Sequence, residues 1–127
     1  TLFNLLKKYD SLDDTNQNHL LHLDIRYPNI IFKRDNLFLI DAENCEVGDP
    51  LYELAIIDIS GVLDKAFMDG YQEHINFDVD LNSVWYKFYK LERYAALVKL
   101  FTVNFPQPDF EQYNLKEMNL LLSELIN

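Results

Sequence analysis

The chain has 127 residues, 49% hydrophobic and 14% aromatic, enough for one domain whose core needs neither disulfide nor metal. Eleven Lys and Arg against twenty-one Asp and Glu give a formal net charge of −10, which argues against a general nucleic-acid binder because such a surface repels phosphate backbones. The single cysteine, Cys45, rules out an internal disulfide and a multi-cysteine zinc site; with no apolar run of spanning length and no signal-peptide pattern, the expectation is a cytoplasmic protein that engages no nucleic acid and no membrane.

In chain order, Leu2, Leu5, Leu6 and Tyr9 share one face at helical spacing, and the Asp/Ser/Asn/Thr-rich stretch 10–18 reads as a loop. Leu20 to Asp24 is an apolar approach to a polar cluster. Asn29–Lys33 and Leu37–Asp41 are short apolar segments separated by Arg34-Asp35-Asn36, which predicts a β-hairpin. The polar stretch Ala42–Gly48 reads as a loop. Asp49-Pro50 is a helix start, with Asp as cap and Pro at the first helical position, and Leu51, Leu54, Ala55 and the isoleucines form its buried side. Asp64–His74 reads as a second helix. Asp80 is placed to cap a long one over Leu81–Val103, which Pro106 and Pro108 break, and Phe110–Ile126 is the last amphipathic helix. The sum is a mainly helical single domain over residues 1–127 with one small hairpin inserted early.

The chemistry concentrates in His22-Leu-Asp-Ile-Arg-Tyr-Pro-Asn29, Leu39-Ile-Asp41 and Val47-Gly-Asp-Pro-Leu-Tyr-Glu-Leu-Ala55. A hairpin brings its two ends together, so Asn29 and Asp41 become neighbours at its mouth, with Asp24 close by. An amide oxygen beside a carboxylate suits Mg²⁺, which takes one or two protein carboxylates plus phosphate oxygens and water. A free Asp beside such a site can accept a hydroxyl proton during phosphoryl transfer.

These three blocks resemble the catalytic core of the aminoglycoside phosphotransferase and choline kinase group, relatives of the protein kinases. In that group a His-x-Asp-x-x-x-x-Asn loop precedes a hairpin that ends in Ile-Asp, and a Gly-Asp-Pro-x-x-(Asp/Glu)-Leu-Ala segment follows. The resemblance implies the C-terminal lobe of a protein-kinase-like α+β fold, with the catalytic loop and hairpin over about residues 20–41. It implies Asp24 as catalytic base, Asn29 and Asp41 as Mg²⁺ ligands, Arg26 as a phosphate contact, and His22 and Asp49 as structural supports. The implied reaction is transfer of a phosphoryl group from ATP to a hydroxyl of a small molecule. The last block favours the aminoglycoside-type branch.

Leu23 stands where the group usually has Gly or another small or polar residue, and Ala42 follows Asp41 where an aromatic residue is common. Gly48, Gly61 and Gly70 all lie downstream of the catalytic loop, and the 21 residues before His22 are too few for an ATP-covering N-terminal lobe. Either the parent protein is longer and supplies that lobe, or this is a degenerate relative, inactive alone. The rival reading is a non-catalytic helical binding or scaffolding module derived from a kinase-like lobe. Without its partner lobe, the surface near 1–9 and the hairpin is expected to self-associate. His19 and His22 lack a third metal ligand, Cys45 lacks an activating neighbour, and Trp85, Tyr86, Phe88, Tyr89 and Tyr94 read as core.

Overall fold

In the computed structural model, residues 19–126 are described, so the expected helix over 1–9 and loop over 10–18 lie outside the described residues. The described residues are mainly helical with two small antiparallel sheets, and they fall into two compact units, 19–89 and 90–126.

The first unit carries all the strands among the described residues. Strand β1 (His19–Leu21) pairs antiparallel with β4 (Glu46–Gly48), and β2 (Ile30–Lys33) pairs with β3 (Asn36–Leu39). The hairpin forms as its pattern predicts, with Lys33 opposite Asn36 and a two-residue Arg34-Asp35 turn in which Arg34 takes a φ of 56°. The loop expected over 42–48 is overturned in its second half, because Glu46–Gly48 is a strand. Its cause is packing rather than alternation. Leu21 is almost fully buried, and a Cβ on Gly48 would meet its Cδ1 at 3.0 Å, so only glycine lets the two backbones close at this distance.

Helix α1 (Pro50–Ile59) opens where the sequence predicts, with the Asp49 carboxylate accepting the Leu51 N–H at 2.8 Å. It ends in a Schellman motif. Gly61, with a φ of 78°, donates to the Asp58 carbonyl at 2.9 Å, and Val62 donates to the Ile57 carbonyl at 3.2 Å. Helix α2 (Lys65–His74) is capped by Asp64, which accepts the Phe67 N–H. Helix α3 (Val84–Lys99) starts later than expected. Asp80 spends its carboxylate on the Asn82 N–H in a turn, and the Ser83 hydroxyl accepts the Tyr86 N–H.

The core of this unit is Leu54, Ala55 and Ile57 of α1 with Val62 and Tyr86, and Ile25, Ile30, Phe67 and Tyr71 pack against it. Two hydroxyls of α3 fasten α1: Tyr86 donates to Asp58 at 2.7 Å and Tyr89 to Asp49 at 3.0 Å. Trp85 and Tyr52 flank the Tyr89 ring, which places these aromatics in packing.

In the second unit, Leu100–Asn104 continues α3 as a π-helical turn. Pro106 has no N–H, and the Phe105 N–H reaches back to the Leu100 carbonyl at 2.8 Å. Helix α4 (Pro108–Ile126) follows, with Phe110 stacked on Phe101 at 5.1 Å between ring centroids.

Candidate active site

The excursion from β1 to β4 holds the polar cluster. His22 and Leu23 leave β1 with both backbone N–H groups aimed at one carboxylate oxygen, Glu53 Oε1, at 2.8 and 2.9 Å. Glu53 sits in the first turn of α1, where a negative charge also complements the helix N-terminus. This double bond holds Leu23 at a φ of 63°, a left-handed conformation that costs a branched residue about 1–2 kcal/mol. The departure noted at position 23 thus has a physical reading: glycine would adopt this backbone freely.

His22 is spent on backbone at both ring nitrogens. Its Nδ1 faces the Asp24 N–H at 3.3 Å and its Nε2 faces the Ile40 carbonyl at 3.1 Å. An N–H can only donate and a carbonyl can only accept, so the ring is the neutral Nε2–H tautomer. His22 thereby ties the start of the polar loop to the end of the hairpin. The other histidine of the suspected pair, His19, packs its ring on Phe77 at 4.8 Å. Cys45 is exposed, with its sulfur 4.0 Å from the His22 carbonyl oxygen.

Asp24 is largely buried, its side chain 15% exposed. Its Oδ1 pairs with Arg26 Nε at 3.0 Å and its Oδ2 accepts from Asn29 Nδ2 at 2.6 Å, each oxygen keeping a further lone pair. Asn29, in a short 3-10 turn over Tyr27–Asn29, is buried and also donates from Nδ2 to the Asp24 carbonyl at 2.9 Å. The Asn29 carbonyl accepts the Ile40 N–H at 3.0 Å, which sets Asp41 beside the same end of the hairpin. Asp41 is exposed and takes a φ of 65°. The structure therefore joins Asp24, Arg26 and Asn29 in direct contact, brings His22 against the same loop, and sets Asp41 at its edge. Asp49 caps α1 and is 7% exposed.

Glu53 is the residue whose part in the site the sequence left unread, although it stands in the third block. An acid in the first turn of a helix opened by Asp-Pro was the available signal. The same surroundings act on Tyr71 of α2, whose hydroxyl is raised above its usual 10.0 by burial first, then by the Glu53 and Asp49 carboxylates.

Among the described residues no three His, Cys, Asp or Glu side chains converge as a metal cage. A cation bound mainly through phosphate oxygens and water needs no such cage. The donors at hand, the Asn29 amide oxygen and the Asp41 carboxylate, are hard oxygens and fit Mg²⁺.

No curated protein and no solved structure matches the chain. A family model, that of the phosphotransferase enzyme family, matches residues 2–79, which takes in the polar loop, the hairpin, α1 and α2. With more than half of its length matched and the polar cluster inside the matched span, the chain belongs to the phosphotransferase enzyme family.

Proposed function

We propose that the chain is the catalytic lobe of an ATP- and Mg²⁺-dependent kinase that phosphorylates a hydroxyl of a small molecule. The observation that carries this reading is the Asn29 bridge. Its amide nitrogen holds both the Asp24 carboxylate and the Asp24 carbonyl, and the amide oxygen, a hard acceptor, would then serve a cation. Asp24 then receives the acceptor's hydroxyl proton on a free lone pair while Asn29 keeps the carboxylate in place. Arg26, half exposed and paired to Asp24 through Nε, offers its remaining N–H groups to phosphate oxygens. Asn29 and Asp41 would hold Mg²⁺, which when bound offsets the charge of the transferring phosphoryl group. His22 and Glu53 keep the loop backbone fixed, so that the base does not have to be oriented during each turnover.

The test measures phosphoryl transfer from labelled Mg-ATP to aminoglycosides, choline, amino alcohols and sugars. It uses both the 127-residue chain and the product of its full natural reading frame. Asp24→Asn is expected to lower kcat by about 10²–10⁴-fold, the range for losing a general base. The chain by itself is expected to be slow, because positioning of the nucleotide supplies most of the rate. Transfer that survives Asp24→Asn undiminished overturns the reading. A second reading, a non-catalytic binding module, draws on the Asp24–Arg26 ion pair, which partly satisfies the carboxylate within the loop. It predicts no transfer in either form of the protein.

A further inference from the structure

We propose that Ser60 is a positioning residue for Asp24, holding the far side of the catalytic loop as Glu53 holds the near side. Its functional meaning rests on the phosphotransfer reading; its geometry does not. The Ser60 hydroxyl lies 3.0 Å from the carbonyl oxygen of Ile25, the residue that follows Asp24, and 2.7 Å from the Ile57 carbonyl oxygen of its own helix. A serine hydroxyl has one proton and can serve only one of these fully at a time. The Ile57 carbonyl already accepts the Val62 N–H at the helix end, whereas the Ile25 carbonyl has no other donor among the described residues. The proton therefore does more on the loop, where it satisfies a group otherwise left without a protein partner.

A neighbouring contact points the same way. The Tyr27 hydroxyl donates to the carbonyl of Gly61, next to Ser60, at 3.3 Å. One helix thus grips the loop twice. Glu53, near its start, takes the N–H groups of His22 and Leu23; Ser60 and Gly61, at its end, take up Ile25 and Tyr27. Asp24 lies between the two grips. With only the first, the peptide from Asp24 to Arg26 can pivot about Leu23, and the carboxylate loses its alignment with Asn29. Ser60 touches no reacting group, so its effect passes through the backbone of Ile25.

The test compares Ser60→Ala and Ser60→Thr with the parent chain by residue-resolved amide hydrogen exchange. In Ser60→Ala the Asp24 and Asn29 amides should exchange about three- to tenfold faster, the equilibrium weight of one hydrogen bond. The His22 and Leu23 amides, held by Glu53, and the Leu54–Ile57 amides within α1 should not change. Ser60→Thr, which keeps a hydroxyl, should restore the parent rates. Unchanged exchange at Asp24 and Asn29, or a rise spread equally through α1, overturns the proposal. In the full-reading-frame protein, Ser60→Ala should lower kcat about three- to tenfold with KM for ATP unchanged, again rescued by threonine. An unchanged kcat where Asp24→Asn removes transfer also overturns it. If Asp24→Asn leaves transfer intact, or no transfer occurs at all, it is the phosphotransfer reading that fails, and the exchange rates alone judge the hold of Ser60 on the loop.

Discussion

The polar loop over residues 22–29 and the β2–β3 hairpin are contiguous in sequence and held in opposite ways. The loop is tied by side chains that arrive from α1 and its C-cap, and its Asp24 and Asn29 are largely withdrawn from solvent. The hairpin is held by its own ladder and leaves apolar side chains in water: Phe32 is 73% exposed and Leu37 65%. The usual distribution of polar and apolar groups is inverted between them. That inversion marks the loop as a place where order outweighs hydration, and the outer hairpin residues such as Phe32 and Leu37 as a surface that adds little to the stability of this chain.

Removing Glu53 should break the comparison most severely. Glu53→Ala leaves the N–H groups of His22 and Leu23 without their shared acceptor and releases the left-handed Leu23. We expect a loss of about 2–3 kcal/mol, since hydrogen bonds to a charged acceptor are the strong ones, read from urea unfolding. A loss under about 0.5 kcal/mol would show that the loop needs no such tether.

Gly48→Ala comes next, at about 1–2 kcal/mol from overpacking. The new methyl would press on Leu21 Cδ1 at 3.0 Å, and Leu21 is too enclosed to yield. The check is the thermal midpoint, together with the exchange rates of the β1 and β4 amides.

Tyr71 sharpens the comparison through pH. Its folded-state value lies above 10.0, so the fold keeps the proton where the unfolded chain gives it up. That contribution is complete below pH 10.0 and is lost as pH rises through the folded value. Tyr71→Phe should therefore flatten the decline of stability at alkaline pH relative to the parent. Equal slopes for the two proteins in unfolding titrations would remove the assigned environment.

The smallest effect belongs to the hairpin. Phe32→Ala should change stability by less than about 0.5 kcal/mol, despite removing an aromatic ring, because that ring is already in water. A cost above about 2 kcal/mol in a concentration-dependent unfolding curve would instead reveal a second copy covering the ribbon.

What the sequence disclosed follows from how local each signal is. Asp49-Pro50 and Asp64 announce their helices because a cap and its helix are adjacent, and the hairpin is announced by two apolar runs around a polar turn. The β1–β4 pair was hidden because three-residue strands carry no period, and because Leu21 and Gly48 recognise each other only across the fold. Asp80 misled because aspartate and serine cap equally well, and only the structure shows that Ser83 takes the role. In the polar cluster, the nearness of Asp24 to Asn29 follows from their spacing in one short loop, whereas Glu53 acts on backbone N–H groups that every residue possesses, so its place in the first turn of α1 signals an acid there but not which N–H groups it takes.

The pairing of β1 with β4 also orders events in time. The β2–β3 ribbon joins neighbouring segments and can zip on the scale of about 1–10 μs. The β1–β4 ladder must first bring together the two ends of the whole excursion, a non-local closure whose entropy is lost before any contact rewards it. During refolding, a chain can therefore show a finished ribbon by spectroscopy while Asp24 still has no fixed place. The order of the polar loop then arrives with the later event, when Leu21 settles against Gly48.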